Sequence, residues 1–245
     1  MKQCRPERIP ADKSLQKEVL GVIYDVYASW AKRFPLACKK GCSACCTQSV
    51  TVTSLEGAVI LDFVMSRDRM KWLHEKLAGT TAGKGRPGIT TNHFAGACLA
   101  GQEVDGEALG SWDFTPCIFL EDALCSIYEV RPFGCRSFAS LVPCTAERIA
   151  EIDPIHLTVN TVFMQIIEHV DNDGGTWATL SDMLDSLAGN EAEPRTTHIL
   201  QALPLPGFLL DPHELGVVNN LLRQLYEKSG GKQIFGDLID NFMPI

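Results

Sequence analysis

Four cysteines fall within nine residues of this chain, Cys38-Lys39-Lys40-Gly41-Cys42-Ser43-Ala44-Cys45-Cys46, and three more follow at Cys117, Cys125 and Cys135. An apolar core has no need of thiols packed this densely. Soft anionic sulfurs repel one another, and a bound cation or metal cluster relieves that repulsion. The cysteines therefore set the main condition on the fold: it must carry two distant segments to one place and hold them there.

The spacing within the first segment fits that condition. Three residues separate Cys38 from Cys42, and two separate Cys42 from Cys45. On a helix or tight turn these intervals put the sulfurs on one side, and Gly41 lets the backbone bend close to a metal. Cys45 and Cys46 are adjacent, so their side chains are expected to diverge. Either one of them binds while the other packs, or the site holds more than one metal atom.

The second group is spread too widely for a single knuckle, so Cys117, Cys125 and Cys135 must be gathered by the fold. Pro132 and Gly134 set a turn just before Cys135. Arg131 and Arg136, with Lys39 and Lys40, are placed to offset the charge of a thiolate centre, though basic residues serve equally as solvated surface. Cys144 is either an eighth ligand or a small buried apolar residue. Cys4 and Cys98 lie outside the pattern. Of the histidines, His93 sits in the loop between the two cysteine groups and is the one to watch, and none belongs to a His-Glu-x-x-His zinc motif.

Composition narrows the class. A formal net charge of -8 argues against nucleic acid and anionic membranes as obligatory partners, since both demand basic patches. The polar start, Met1-Lys2-Gln3-Cys4-Arg5-Pro6-Glu7-Arg8, has no apolar run behind it, so no secretory signal is expected. No stretch approaches the roughly 18 apolar residues of a membrane span. The expectation is a cytosolic protein, where clustered cysteines bind metal or do chemistry rather than form disulfides.

Read in order, the chain is mostly helical. Leu15, Val19, Ile23, Val26, Tyr27 and Trp30 recur at helical spacing over 14–34, and Pro35 stops the run. Residues 47–53 are β-prone but short. Thr53 and Glu56 make a capping box for a helix to about Met65, and Ser66 restarts a second through Trp72 and Leu77. Residues 79–88 read as a surface loop. Its Gly83-Lys84-Gly85-Arg86-Pro87-Gly88 matches a dinucleotide fingerprint in letters only, because helix rather than strand precedes it and Pro87 sits where a helix should open. Residues 89–116 show no period and read as a long irregular loop.

Pro154 opens a central helix through Val170, and Asp171-Asn172-Asp173-Gly174-Gly175 ends it without the closing Glu of a calcium loop. Thr176 to Leu187 reads as helix and 194–210 as an extended connection. A last helix starts at Asp211-Pro212-His213-Glu214, with Asp211 as N-cap, and stops at Gly230-Gly231. The tail from Ile234 to Ile245 is apolar and suited to docking. The fold class expected is mainly α: one domain over 1–245, with an irregular cysteine-rich metal-binding core (14–144) held by packed helices, little or no β-sheet, and a C-terminal helical part (145–245).

At this point the pattern resembles a known family. The cluster ending in Cys-Cys, then Cys-Ile-x-Leu, then Cys-Ser-Ile-Tyr-x-x-Arg-Pro-x-x-Cys-Arg, is similar to the YkgJ-type cysteine-cluster family, described as a zinc- or iron-chelating domain. The matching positions are Cys38, Cys42, Cys45, Cys46, Cys117, Cys125, Ile127, Tyr128, Arg131, Pro132, Cys135 and Arg136. The resemblance covers roughly residues 36–140. This chain has three residues between its first two cysteines where many members have two, and Ile118 where many have proline. Neither change removes a ligand.

The resemblance implies metal ligation by Cys38, Cys42, Cys45, Cys46, Cys117, Cys125 and Cys135. Ligand softness and thiol number favour an iron–sulfur cluster, with a redox or accessory role beside a protein redox partner. The alternative is a structural zinc that clamps the segments. Flagellin lysine N-methylases carry a similar cluster, which adds an enzyme as a third reading, but no glycine-rich strand–loop–helix is present here to hold a methyl donor.

Overall fold

The computed structural model describes residues 12–80, 85–111, 113–145, 149–189 and 198–230. Cys4, the tail from Ile234 and the first two residues of the rejected nucleotide motif, Gly83 and Lys84, lie outside them. The fold is mainly helical with two small sheets, as expected.

Helix α1 (Lys13–Ala31) starts where the Asp12 carboxylate accepts from the Ser14 N–H, 2.9 Å away. It buries Val19, Leu20, Ile23, Val26, Tyr27 and Trp30 and ends three residues earlier than the sequence pattern implied. Its apolar face packs on α6 (Pro154–Val170) and α8 (Leu215–Lys228), and these three helices make one core together with Phe133 and Leu55.

A second core lies beneath the cysteines. It joins α2 (Ser54–Met65), α3 (Met70–Ala78) and α7 (Leu180–Ala188) to Phe119 and Ile127, both taken from the second cysteine segment. The α2–α7 contact needs a glycine. A Cβ on Gly57 would stand 2.7 Å from Leu187 Cδ1.

The strands are short. β1 (Thr51–Thr53), β4 (Thr176–Thr179) and β5 (Leu200–Gln201) form an antiparallel sheet with β4 in the middle, Thr51 opposite Thr179 and Trp177 opposite Leu200. β2 (Leu120–Glu121) and β3 (Leu124–Cys125) form a hairpin. Asp122 and Ala123 at its tip both have positive φ, 48° and 61°, the conformation that matches the twist of paired strands.

The capping box holds. Thr53 Oγ1 accepts from the Glu56 N–H and Glu56 Oε2 accepts from the Thr53 N–H. Besides the end of α1, the structure departs from the sequence expectation at four places. Ser66 closes α2 rather than opening α3.

The 89–116 region is not wholly irregular: it contains α4 (Thr91–Leu99) and a 3₁₀ turn, Gly106–Leu109. The packed face of α4 offers only Ala95, Ala97 and Asn92, so no apolar period could announce it. Polar contacts hold it instead. The Asn92 N–H donates to Glu168 Oε2 (2.8 Å), and its amide donates to the carbonyls of Gln165 and Leu203.

Residues 176–179, expected as helix, are strand β4, because β1 and β5 take up their backbone groups. Thr179 then caps α7. Helix α8 begins at Leu215, not at Asp211. Residues 211–214 form a turn in which Glu214 accepts from the Asp211 N–H (2.8 Å) and the Thr158 hydroxyl (2.5 Å).

The acidic turn after α6 is structural. Asp171 is fully buried and accepts from Lys13 Nζ, Ser54 Oγ and the Leu55 N–H. Among the described residues no helix is long and apolar enough to cross a membrane.

Candidate metal centre

The first cysteine segment is a chain of turns rather than a helix. The Cys42 N–H donates to the Lys39 carbonyl (2.9 Å), the Cys46 N–H to Ser43 (3.0 Å) and the Thr47 N–H to Cys45 (3.0 Å). Gly41 sits at φ 92°, a conformation that strains any residue with a Cβ. Leu124 Cδ2 lies 3.8 Å from where that Cβ would be.

Two seams bring the distant thiols to this segment. In one, the Cys117 N–H donates to the Cys46 carbonyl (2.9 Å) and the Gln48 N–H to Thr115 (3.0 Å). The β2–β3 hairpin then folds Cys125 back over Cys117, since Cys125 pairs with Leu120, whose N–H donates to the Cys117 carbonyl. In the other seam the Ala37 N–H donates to the Ser140 carbonyl (2.8 Å) and the Ser140 N–H donates to Cys38 Sγ (3.2 Å). Ser140 was not foreseen. A backbone N–H to sulfur bond leaves no mark in composition or spacing.

Cys135 is carried by α5 (Phe133–Ser137), a single turn opened by Pro132. Glu56 anchors it by accepting from the Phe133 N–H.

All of these cysteines are free thiols. Cys42 and Cys45 are exposed, whereas Cys38, Cys46, Cys117, Cys125, Cys135 and Cys144 are half-buried. Burial raises the pKa of Cys38, Cys117, Cys125 and Cys135, and neighbouring sulfurs raise Cys38, Cys117 and Cys135 further. The neighbouring Cys46 pushes the pKa of the Cys45 thiol up, and Cys45 in turn lowers that of Cys46.

The basic residues divide in their roles. Arg131 lies over the Tyr128 ring at 3.6 Å, and its charge favours the thiolate of Cys45, Cys125 and Cys135. Lys76, which the sequence did not single out, does the same for Cys117. Arg136 braces the backbone, donating to the carbonyls of Arg131 (2.5 Å) and Glu129 (2.8 Å) over the Tyr24 ring. Lys40 stands 5.5 Å over Tyr128, and Lys39 is exposed on the surface. His93 is exposed in the first turn of α4.

Among the described residues no three cysteine sulfurs lie within 4.8 Å of one another. The trio of metal-type donors that meets this limit is Asp211, His213 and Glu214, whose Glu214 oxygens are engaged at the start of α8.

A helical frame that joins two cysteine-bearing segments, with their thiols free, defines a cysteine-rich domain. Residues 37–155 match the model of the CxxCxxCC family, described as a "putative zinc- or iron-chelating domain". The resemblance carried by the motif is therefore shown over the segment that runs past Cys144. No curated protein and no solved structure matches the chain.

Proposed function

We propose that this chain holds an iron–sulfur cluster through Cys38, Cys42, Cys45, Cys46, Cys117, Cys125 and Cys135, and serves a redox or accessory role for a protein partner. The observation that carries this reading is the number of free thiols on the two joined segments. Seven cysteines exceed the four that one zinc takes, and all-thiolate ligation suits an iron–sulfur cluster. The cluster, when bound, would supply one-electron chemistry.

The chain's own residues prepare the place. Arg131 and Lys76 lower the cost of several thiolates, and the seams at Cys46–Cys117 and Cys38–Ser140 fix two of the segments. Exposure of Cys42 and Cys45 keeps one side open to a partner. A structural zinc site is the second reading, favoured by a family description that names zinc beside iron.

Anaerobic purification with elemental analysis and a visible spectrum of the same sample separates the two. Iron with acid-labile sulfide, in a brown protein bleached by dithionite, is expected. Stoichiometric zinc in a colourless protein overturns the redox reading, and the absence of both metals overturns metal binding itself.

A further inference from the structure

The first cysteine segment carries a charge opposite to that of the chain. The formal net charge is -8, yet no Asp or Glu occurs between Asp25 and Glu56, a stretch that holds Lys32, Arg33, Lys39 and Lys40. All four cations are exposed, and no ion pair among the described residues involves them. The second cysteine segment does little to neutralise them. Asp113 is buried, Glu121 pairs with Lys76 (2.8 Å) and Glu129 with Arg67 (2.9 Å), which leaves Asp122 exposed at the hairpin tip.

Side-chain contacts place this charge, and some apolar surface, beside the thiols. Lys40 (5.5 Å) and Arg131 (3.6 Å) share the Tyr128 ring, so cations of both segments stand together. Leu124 Cδ2 lies 3.8 Å from where a Cβ would stand on Gly41, the residue between Lys40 and Cys42. Phe138 is two residues from Ser140, whose N–H donates to Cys38 Sγ. Leu124 and Phe138 are each 49% exposed, and Cys42 and Cys45 are exposed between them in sequence. Apolar residues bordered by charge are the composition of a contact surface.

Resting on the iron–sulfur reading above, we propose that this face docks a small acidic one-electron carrier protein. Lys39 and Lys40 meet its carboxylates, and Leu124 and Phe138 supply the apolar part of the contact. The patch is small, which suits the brief encounters of electron-transfer pairs, whose interfaces lie at the low end of the size range. Opposite charge steers the carrier to this face, while the acidic balance of the remaining chain disfavours its approach elsewhere.

The test is calorimetric binding of the anaerobically purified full-length chain to two carriers, oxidised flavodoxin and a plant-type ferredoxin, with metal content measured first. At least one should bind, and its affinity should fall about 10-fold between about 20 and 200 mM salt. Lys39→Gln/Lys40→Gln and Leu124→Asp, compared with the parent at equal metal content, should each weaken binding by about 5-fold or more at the lower salt. Lys228→Gln, exposed in the last turn of α8, should change it by less than about 2-fold. In the parent, which needs no variant to fold, a carbodiimide should cross-link carrier carboxylates to Lys39 or Lys40. Full metal with binding of neither carrier, with cross-links only at other lysines, or with an equal loss in Lys228→Gln overturns the docking surface and leaves metal binding intact. A parent chain that takes up no metal overturns both readings.

Discussion

Glu56 Oε1 lies 2.7 Å from the backbone N–H of Phe133, so one buried carboxylate ties the start of α2 to the turn that carries Cys135. The same oxygen accepts from Tyr24 Oη at 2.8 Å, and Oε2 accepts from the Thr53 N–H at 3.1 Å. Burial raises the pKa of this carboxyl, and its hydrogen bonds pull the other way. Glu56→Ala would leave these donors without an acceptor and should cost about 3–4 kcal/mol in a denaturant titration. Glu56→Gln keeps one acceptor oxygen but sets an amide donor among N–H groups, so about half that loss is expected. Equal stability of wild type and Glu56→Ala would show that the carboxylate is not the anchor.

The hairpin tip makes an opposite prediction. Ala123 occupies φ 61°, where a Cβ costs about 1 kcal/mol or more. Ala123→Gly should stabilise the protein by up to about 1 kcal/mol, reduced by the greater freedom of glycine in the unfolded chain. A drop in the unfolding midpoint would remove the argument from strain.

His156 should make stability depend on pH. It is buried against the Trp30 and Phe34 rings, with Nε2 3.1 Å from Tyr27 Oη, and Nδ1 has no partner. The Tyr27 hydroxyl donates to Asn160 Oδ1 (2.7 Å), so Nε2 carries the proton and Nδ1 is bare. Burial holds this histidine below its ordinary value of 6.5. The unfolded chain therefore takes up a proton below about pH 6.5 while the folded chain does not, and stability falls as pH falls through that range. The slope is at most about 1.4 kcal/mol per pH unit for one proton. His156→Gln should flatten the difference between pH 7 and pH 5, as followed by thermal unfolding.

Arg131 should act on the metal rather than on the fold. Its charge favours three of the thiolates, so Arg131→Leu should weaken metal retention at fixed pH by about 10- to 100-fold in a chelator competition. Arg131→Lys keeps the charge but not the planar stack on Tyr128 and should fall between. Unchanged retention in Arg131→Leu would leave Arg131 a surface residue.

The helices were legible because they carry a period or a cap. Val19, Ile23 and Trp30 marked α1, and Thr53 with Glu56 marked α2. Helix α4 was not legible, since its stability rests on Asn92 bonding to α6 and not on an apolar face. Trp177 and Ala178 read as helix because the strands they pair with are distant in sequence. At the site, the cysteines were visible as letters. How the two segments are joined was not, because it depends on seams such as Cys46–Cys117 and Cys38–Ser140 that link residues distant in sequence.

The Cys38–Ser140 contact spans 102 residues, and this imposes an order in time. At a synthesis rate of about 5–20 residues per second, Cys38 to Cys46 are joined to the chain about 5–20 s before Ser140. For that interval four neighbouring thiols are without the second half of their site, open to oxidation or to capture of the wrong ion. On the metal-binding reading proposed above, loading would finish only after the chain has passed Cys135 and Ser140, which would make cofactor insertion a late event in the life of the nascent protein.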